Sequence, residues 1–170
     1  MRNSYRVLGG LAIVAATAAL GVAPALATPA HHAAPACNPG HLAVSVDGVD
    51  AGAGQRYTTL DISTEGRACT IAGEPTRLTF LDATGTALVT TPIAEGAAAT
   101  PVTIDAAHPA QLVLHTSPIE GDGATISPSE LSFYLPGART ATVIDWTAGD
   151  VDQNGAVQYG AIQAGPTNVS

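Results

Sequence analysis

The sequence predicts an all-β protein: an antiparallel, immunoglobulin-like β-sandwich with one disulfide. Three observations predict it. After Cys37 the apolar residues recur with period two, and no segment shows a helical 3.6-residue period. Short alternating runs are separated by turn-forming clusters at regular spacing. The two cysteines of the chain, Cys37 and Cys69, leave a single pairing.

The alternation can be followed along the chain. Leu42, Val44 and Val46 share one face, with Ser45 and Asp47 opposite. Leu60 and Ile62 point to one side of their run, and Thr59 and Asp61 to the other. Leu78 with Phe80, Leu112 with Leu114, Leu131 with Phe133 and Leu135, and Ala141 with Val143 continue the pattern. Between the runs stand Asp47-Gly48, Gly52-Ala-Gly54, Gly73-Glu-Pro75, Asp82-Ala-Thr-Gly85, Glu120-Gly-Asp-Gly123, Pro136-Gly137 and Asn154-Gly155. These are residues that accept positive φ, preset φ or bond their own backbone. Ala97-Ala98-Ala99, bounded by Gly96 and Pro101, reads as loop. Trp146 and the tyrosines Tyr57, Tyr134 and Tyr159 read first as sheet and core residues.

The N-terminus carries a different message. Arg2 and Arg6, with no acid nearby, precede the uncharged apolar stretch Val7 to Leu20. That stretch is short of the roughly 20 residues a membrane span needs. Pro24 and the small-x-small sequence Ala25-Leu26-Ala27 follow, so residues 1–27 are expected to be an export signal cut after Ala27. The alternatives are an uncleaved anchor, which lacks a basic flank after the apolar run, and a lipoprotein, for which Cys37 lies too far downstream. Residues 28–36, with two prolines and low complexity, are expected to form a disordered arm. The folded domain is expected over 37–165, with 166–170 as a tail.

Outside the cytoplasm an even cysteine count reads as a disulfide, which at this loop length is worth roughly 3–4 kcal/mol. A thiolate metal pair is the alternative, but two sulfurs without a neighbouring His pair make a poor zinc site. The signal removes Arg2 and Arg6, leaving four arginines against 14 acids and no lysine, a net charge of −10. This charge disfavours nucleic acid and anionic membrane surfaces as partners.

The segments Ala68-Cys69-Thr-Ile-Ala-Gly-Glu-Pro75 and Leu78-Thr-Phe-Leu-Asp-Ala-Thr-Gly85, after the strand Tyr57-Thr-Thr-Leu-Asp-Ile62, resemble a secreted actinobacterial family, the domain of unknown function 4232. The resemblance spans residues 37 to about 165 and is most specific from Cys69 to Pro75. The chain departs from the family pattern in lacking a second cysteine pair and in carrying His108-Pro109-Ala110 where Pro-Gly is expected. The resemblance implies an immunoglobulin-like sandwich, secreted or surface-tethered, and no established activity. The absence of lysine and the wealth of alanine likewise resemble proteins of GC-rich genomes such as those of actinobacteria.

Chemistry-bearing patterns are few. Asp150-Val-Asp152-Gln-Asn154-Gly155 fits the first half of a calcium loop, where oxygen side chains at alternate positions converge on one hard cation. Position twelve of that loop is Ala161 rather than a bidentate Glu, so a neighbouring carboxylate such as Asp145 would have to complete the shell. Binding there would be weak, on the order of 10⁻⁴–10⁻³ M. The alternative is a hairpin bend at Asn154-Gly155. His31-His32 could hold copper or nickel with a new N-terminal amine, whereas His41, His108 and His115 are scattered. There is no Gly-x-Ser-x-Gly elbow and no phosphate-binding glycine loop. Glu120 and Asp122 lie in a Gly-flanked loop where acids favour turns. The expectation is therefore a secreted, non-catalytic β-sandwich that binds an unidentified protein or envelope partner and needs no cofactor. Its alternatives are a calcium-stabilised extracellular module and a secreted hydrolase with a carboxylate site.

Overall fold

The structure is a computed structural model that describes residues 33–52, 55–116 and 124–166. The export-signal reading of residues 1–27, residues 28–32 of the arm, most of the 166–170 tail, and Glu120 and Asp122 lie outside the described residues. Among the described residues no helix is long and apolar enough to cross a membrane.

A 3₁₀ turn at Pro39–His41, capped by the Asn38 side chain on the Gly40 amide, leads into the first strand. In chain order the strands are β1 (Leu42–Gly52), β2 (Gln55–Thr64), β3 (Cys69–Ile71), β4 (Thr76–Leu81), β5 (Thr91–Ala94), β6 (Val102–Ile104) and β7 (Ala110–Thr116). They continue as β8 (Thr125–Ile126), β9 (Glu130–Tyr134), β10 (Thr142–Asp145), β11 (Val151–Asp152), β12 (Ala156–Tyr159) and β13 (Gln163–Ala164).

Two layers result. The first is a sheet in the order β1-β2-β7-β12-β5, with β13 also on β7. Its pairs are antiparallel except β12–β5, which is parallel. The second contains the antiparallel sheet β10-β9-β4, and two ribbons, β3–β6 and β11–β8, complete the fold. β1 lies close to β10, and β5 close to β4, so the layers approach at both margins. This is the all-β antiparallel sandwich with one disulfide that the sequence predicts.

The alternation decides what is inside. On β2, Thr58, Leu60, Ile62 and Thr64 are buried, and their partners on β7, Leu114, Leu112 and Ala110, are buried beside Thr58, Leu60 and Ile62. Val157 and Tyr159 extend the same face on β12. From the other layer come Leu78 and Phe80 on β4 and Leu131 and Phe133 on β9. The apolar members of this set form one continuous core, with each Leu, Ile, Val and Phe side chain contributing roughly 1.5–3 kcal/mol by leaving water. Trp146 closes it with its ring edge-on to Phe80, centroids 4.8 Å apart. Its indole N–H donates to the Gly149 carbonyl at 2.7 Å, so the one polar atom of the ring is satisfied.

One face assignment differs from the sequence pattern. Ala141 and Val143 are exposed, and Ile144, Trp146 and Ala148 carry the inward positions. The pairing Ile144↔Leu131 sets this, because directly opposed residues share a face and Leu131 is core. The turns are those expected at Asp82–Gly85 and Pro136-Gly137, with Gly85 and Gly137 both at φ 77. Asp82 organises the first by accepting from the amides of Thr84 and Thr86 and from the Thr84 hydroxyl.

Cys37 and Cys69 are joined, Cα atoms 4.8 Å apart, tying the entry of the domain to β3. The arm joins the domain just ahead of this bridge. The Thr70 amide donates to the Pro35 carbonyl at 2.7 Å, and the Cys37 amide to the Thr70 carbonyl at 2.9 Å. Residues 35–37 therefore run parallel beside β3, so the structured chain starts before Cys37.

Candidate functional site

The outward face of the first sheet holds a cross-strand row: Asp50, Tyr57, His115, Gln158 and Ile93, from β1, β2, β7, β12 and β5. Their neighbours Thr58, Leu114, Val157 and Tyr159 point inward, which turns this row toward solvent. Tyr57 is 43% exposed. Its ring stacks on the imidazole of His115, with centroids 4.5 Å apart and planes inclined by 10°. The imidazole is held from both sides, its Nδ1 facing the Gln158 side-chain oxygen at 3.4 Å and its Nε2 that of Gln55.

Next to this row the sheet is interrupted. β12 leaves β7 after Tyr159↔Leu114, and the chain returns as β13 at Gln163↔Gln111. The segment 159–163 thus carries one residue more than 111–114, a bulge of the kind that re-aims side chains. Ile162 turns into the core, 2% exposed, where its amide donates to the Gly73 carbonyl at 2.9 Å. Gly160 sits at the bulge, and a Cβ there would stand 3.0 Å from the Glu95 carboxylate. Gly165 passes Pro109 so closely that a Cβ would meet the Pro109 carbonyl oxygen at 2.9 Å.

The chain after β5 builds a wall beside the bulge. The Glu95 amide donates to the Tyr159 carbonyl, and the Ala97 amide to the Glu74 carboxylate, each at 2.9 Å. These bonds fix Ala97-Ala98-Ala99 as a loop, as its glycine and proline flanks imply. Between this wall, the bulge and the aromatic row lies a cleft of about 960 Å³, open to solvent on one side, with Val113 among the outward residues that line it.

The electrostatics of the cleft are mild. Among the described residues its lining contains one carboxylate, Glu95, two imidazoles, and the amides of Gln158 and Gln163, and no arginine. His108 on the rim is engaged with Asp105, Nδ1 to Oδ1 2.8 Å. The hydrogen bond from His108, helped by the Ala107 amide, holds the Asp105 carboxyl below the usual carboxylate range. Under the sheet, burial raises the Tyr159 phenol above its ordinary value, with a smaller contribution from the charge of Glu74. Asp61, also facing outward, is raised by desolvation and by the charge of Asp47.

The residues proposed for calcium lie elsewhere. Asp150 accepts a hydrogen bond from the Ser127 hydroxyl at 2.7 Å, and the Arg56 guanidinium donates to the Asp150 and Ala148 carbonyls at 2.7 and 3.2 Å. A cationic group thus already occupies the backbone oxygens beside this loop. Among the described residues no group of three or more His, Cys, Asp or Glu side chains could hold a metal ion. The bend is a four-residue turn, Asp152–Gly155, closed by the Gly155 amide on the Asp152 carbonyl at 2.9 Å. Its centre is Gln153-Asn154 rather than Asn154-Gly155, with Asn154 at φ 62. It is not a hairpin, because β11 pairs with β8 and β12 with β7 and β5.

A family model described as Domain of unknown function (DUF4232) matches residues 37–167. The chain belongs to this family. The match begins at Cys37, the disulfide that opens the domain, and runs through β13. No curated protein and no solved structure matches the chain.

The sequence marks neither Tyr57, which reads as a sheet residue, nor His115, which reads as one of several scattered histidines, as part of a site. The alternation that sends Thr58 and Leu114 inward sends both of them out, and only the β2–β7 register places them opposite one another.

Proposed function

We propose that this member of the DUF4232 family is an exported, non-catalytic binding module, and that the cleft over the outward face of the first sheet is its ligand-bearing surface. One observation carries the reading. The Tyr57–His115 stack, clamped by Gln55 and Gln158, forms a pre-ordered aromatic platform at the edge of a cleft about 960 Å³ in volume. A concave site with a few convergent polar groups is the usual form of a ligand pocket, and side chains fixed before binding lower the entropy that association costs. Glu95 is the one carboxylate among the described lining residues, which favours binding over glycoside hydrolysis by a flanking carboxyl pair. The disulfide fits a compartment outside the cytoplasm, and the charged, apolar and small-x-small order of residues 1–27 fits export.

The test is co-sedimentation of the oxidised chain with isolated cell envelopes. The wild-type chain should pellet with the envelope, and Tyr57→Ala, with its fold verified by Trp146 fluorescence, should remain in the supernatant. Equal partition of the two proteins would remove the cleft from the binding surface.

A further inference from the structure

We propose that the ligand of this cleft is an uncharged oligosaccharide; the assignment rests on reading the cleft as a binding surface. The lining decides among ligand classes. An anion such as a phosphate is held most strongly by guanidinium or ammonium donors, and the described lining of the cleft has no arginine while the chain has no lysine. Of the arginines, Arg56 is spent on the Asp150 and Ala148 carbonyls, and Arg77 lies 5.3 Å over the Tyr134 ring, outside the cleft lining. The excess of 14 acids over six basic residues repels anions further. A hard cation such as calcium needs several oxygen ligands, Glu95 is the one carboxylate among the described lining residues, and no group of three His, Cys, Asp or Glu among the described residues could hold a metal ion. A wholly apolar ligand would strip water from the amides of Gln158 and Gln163 and from the imidazole of His115 without returning hydrogen bonds.

A neutral polyol meets each of these groups. Every sugar hydroxyl both donates and accepts. The Gln158 and Gln163 amides present both roles, Thr100 and Thr103 present hydroxyls, and Glu95 accepts. Sugar rings also carry apolar C–H surface, which packs on aromatic side chains, and Tyr57 supplies an exposed ring stiffened by its stack on His115. One sugar ring would leave most of 960 Å³ empty, and the open side lets a longer chain extend beyond the cleft. The class is therefore an oligosaccharide rather than a monosaccharide.

The experiment is an amide-resolved NMR titration of the oxidised chain. The probes are neutral hexasaccharides (cellohexaose, laminarihexaose, mannohexaose and xylohexaose), an acidic oligogalacturonate, and the uncharged apolar dye N-phenyl-1-naphthylamine. At least one neutral hexasaccharide should shift the Tyr57, Val113, His115 and Gln158 resonances saturably at millimolar concentration. Tyr57→Ala should weaken that binding by about tenfold or more, as loss of an aromatic anchor does, and Tyr57→Phe should keep most of it. Preference for the oligogalacturonate, or shifts at these residues from the dye alone, would overturn the sugar assignment and leave the cleft a binding surface. No shift there from any probe would overturn both.

Discussion

Removing the Cys37–Cys69 bridge is the sharpest perturbation of the fold. The bridged residues are 32 apart in sequence. Constraining an unfolded loop of that size is worth about 3.5–4 kcal/mol in the chain-entropy model. At an unfolding entropy of about 2.1 cal/mol/K per residue, a domain of this length should lose roughly 10–15 °C in Tm. A local effect adds to the global one. Residues 35–37 are held beside β3 by two backbone hydrogen bonds, and the bridge sits at the end of that contact. Without it, protection of the Thr70 amide should fall more than that of Leu60 or Leu112 in the core. The assay is thermal unfolding of the oxidised chain against Cys37→Ser/Cys69→Ser, with hydrogen exchange on both. A double variant that melts within about 3 °C of the parent, less than 1 kcal/mol at this size, would refute the reasoning. It would mean that packing alone fixes the entry of the domain.

Other outcomes follow from single residues. Thr58 is fully buried and its hydroxyl has no hydrogen-bond partner among the described residues, so Thr58→Val should stabilise the fold by about 1 kcal/mol or more in denaturant unfolding; a loss of stability would show that the hydroxyl is satisfied. The Asp82 carboxyl is held below its ordinary value first by the Thr84 hydroxyl and then by the Thr86 and Thr84 amides. Its contribution is present above the unfolded carboxylate pKa of about 3.9 and is lost as pH falls through the lower folded value. Asp82→Ala should therefore cost stability at pH 7 and shrink the acid-side slope of Tm, and an unchanged slope would contradict the turn geometry. Calcium at millimolar concentration should leave Tm where it is in EDTA, because Arg56 and Ser127 already engage Asp150; a rise abolished by Asp152→Ala would establish a metal site in that loop.

The fold was largely legible because its cause is local. Leu60 and Ile62, or Leu131 and Phe133, alternate with polar residues, and the period-two pattern carries both the strand and its buried face. Asp82-Ala-Thr-Gly85 announces its turn because the carboxylate bonds amides two and four residues on. The misassigned strand was β10, where Val143 and Ile144 are equally apolar and the alternation is ambiguous. Pairing with Leu131 decided between them, and pairing is non-local. The same limit hid the site. The cleft exists because β2, β7 and β12 meet in one register and because one extra residue between Tyr159 and Gln163 breaks the sheet. Neither feature has a local signature. The Asp150–Asn154 pattern was local and conspicuous, yet Arg56, distant in sequence, meets that loop.

The most direct test of the central claim, that the cleft is the binding surface, is fragment mapping by NMR. The oxidised chain would be exposed to a set of small, chemically diverse fragments, and the perturbed amides mapped. Shifts from unrelated fragments should converge on Tyr57, Val113, His115, Gln158 and the 160–165 bulge. Convergence on another surface, or perturbations scattered evenly over the sandwich, would contradict it.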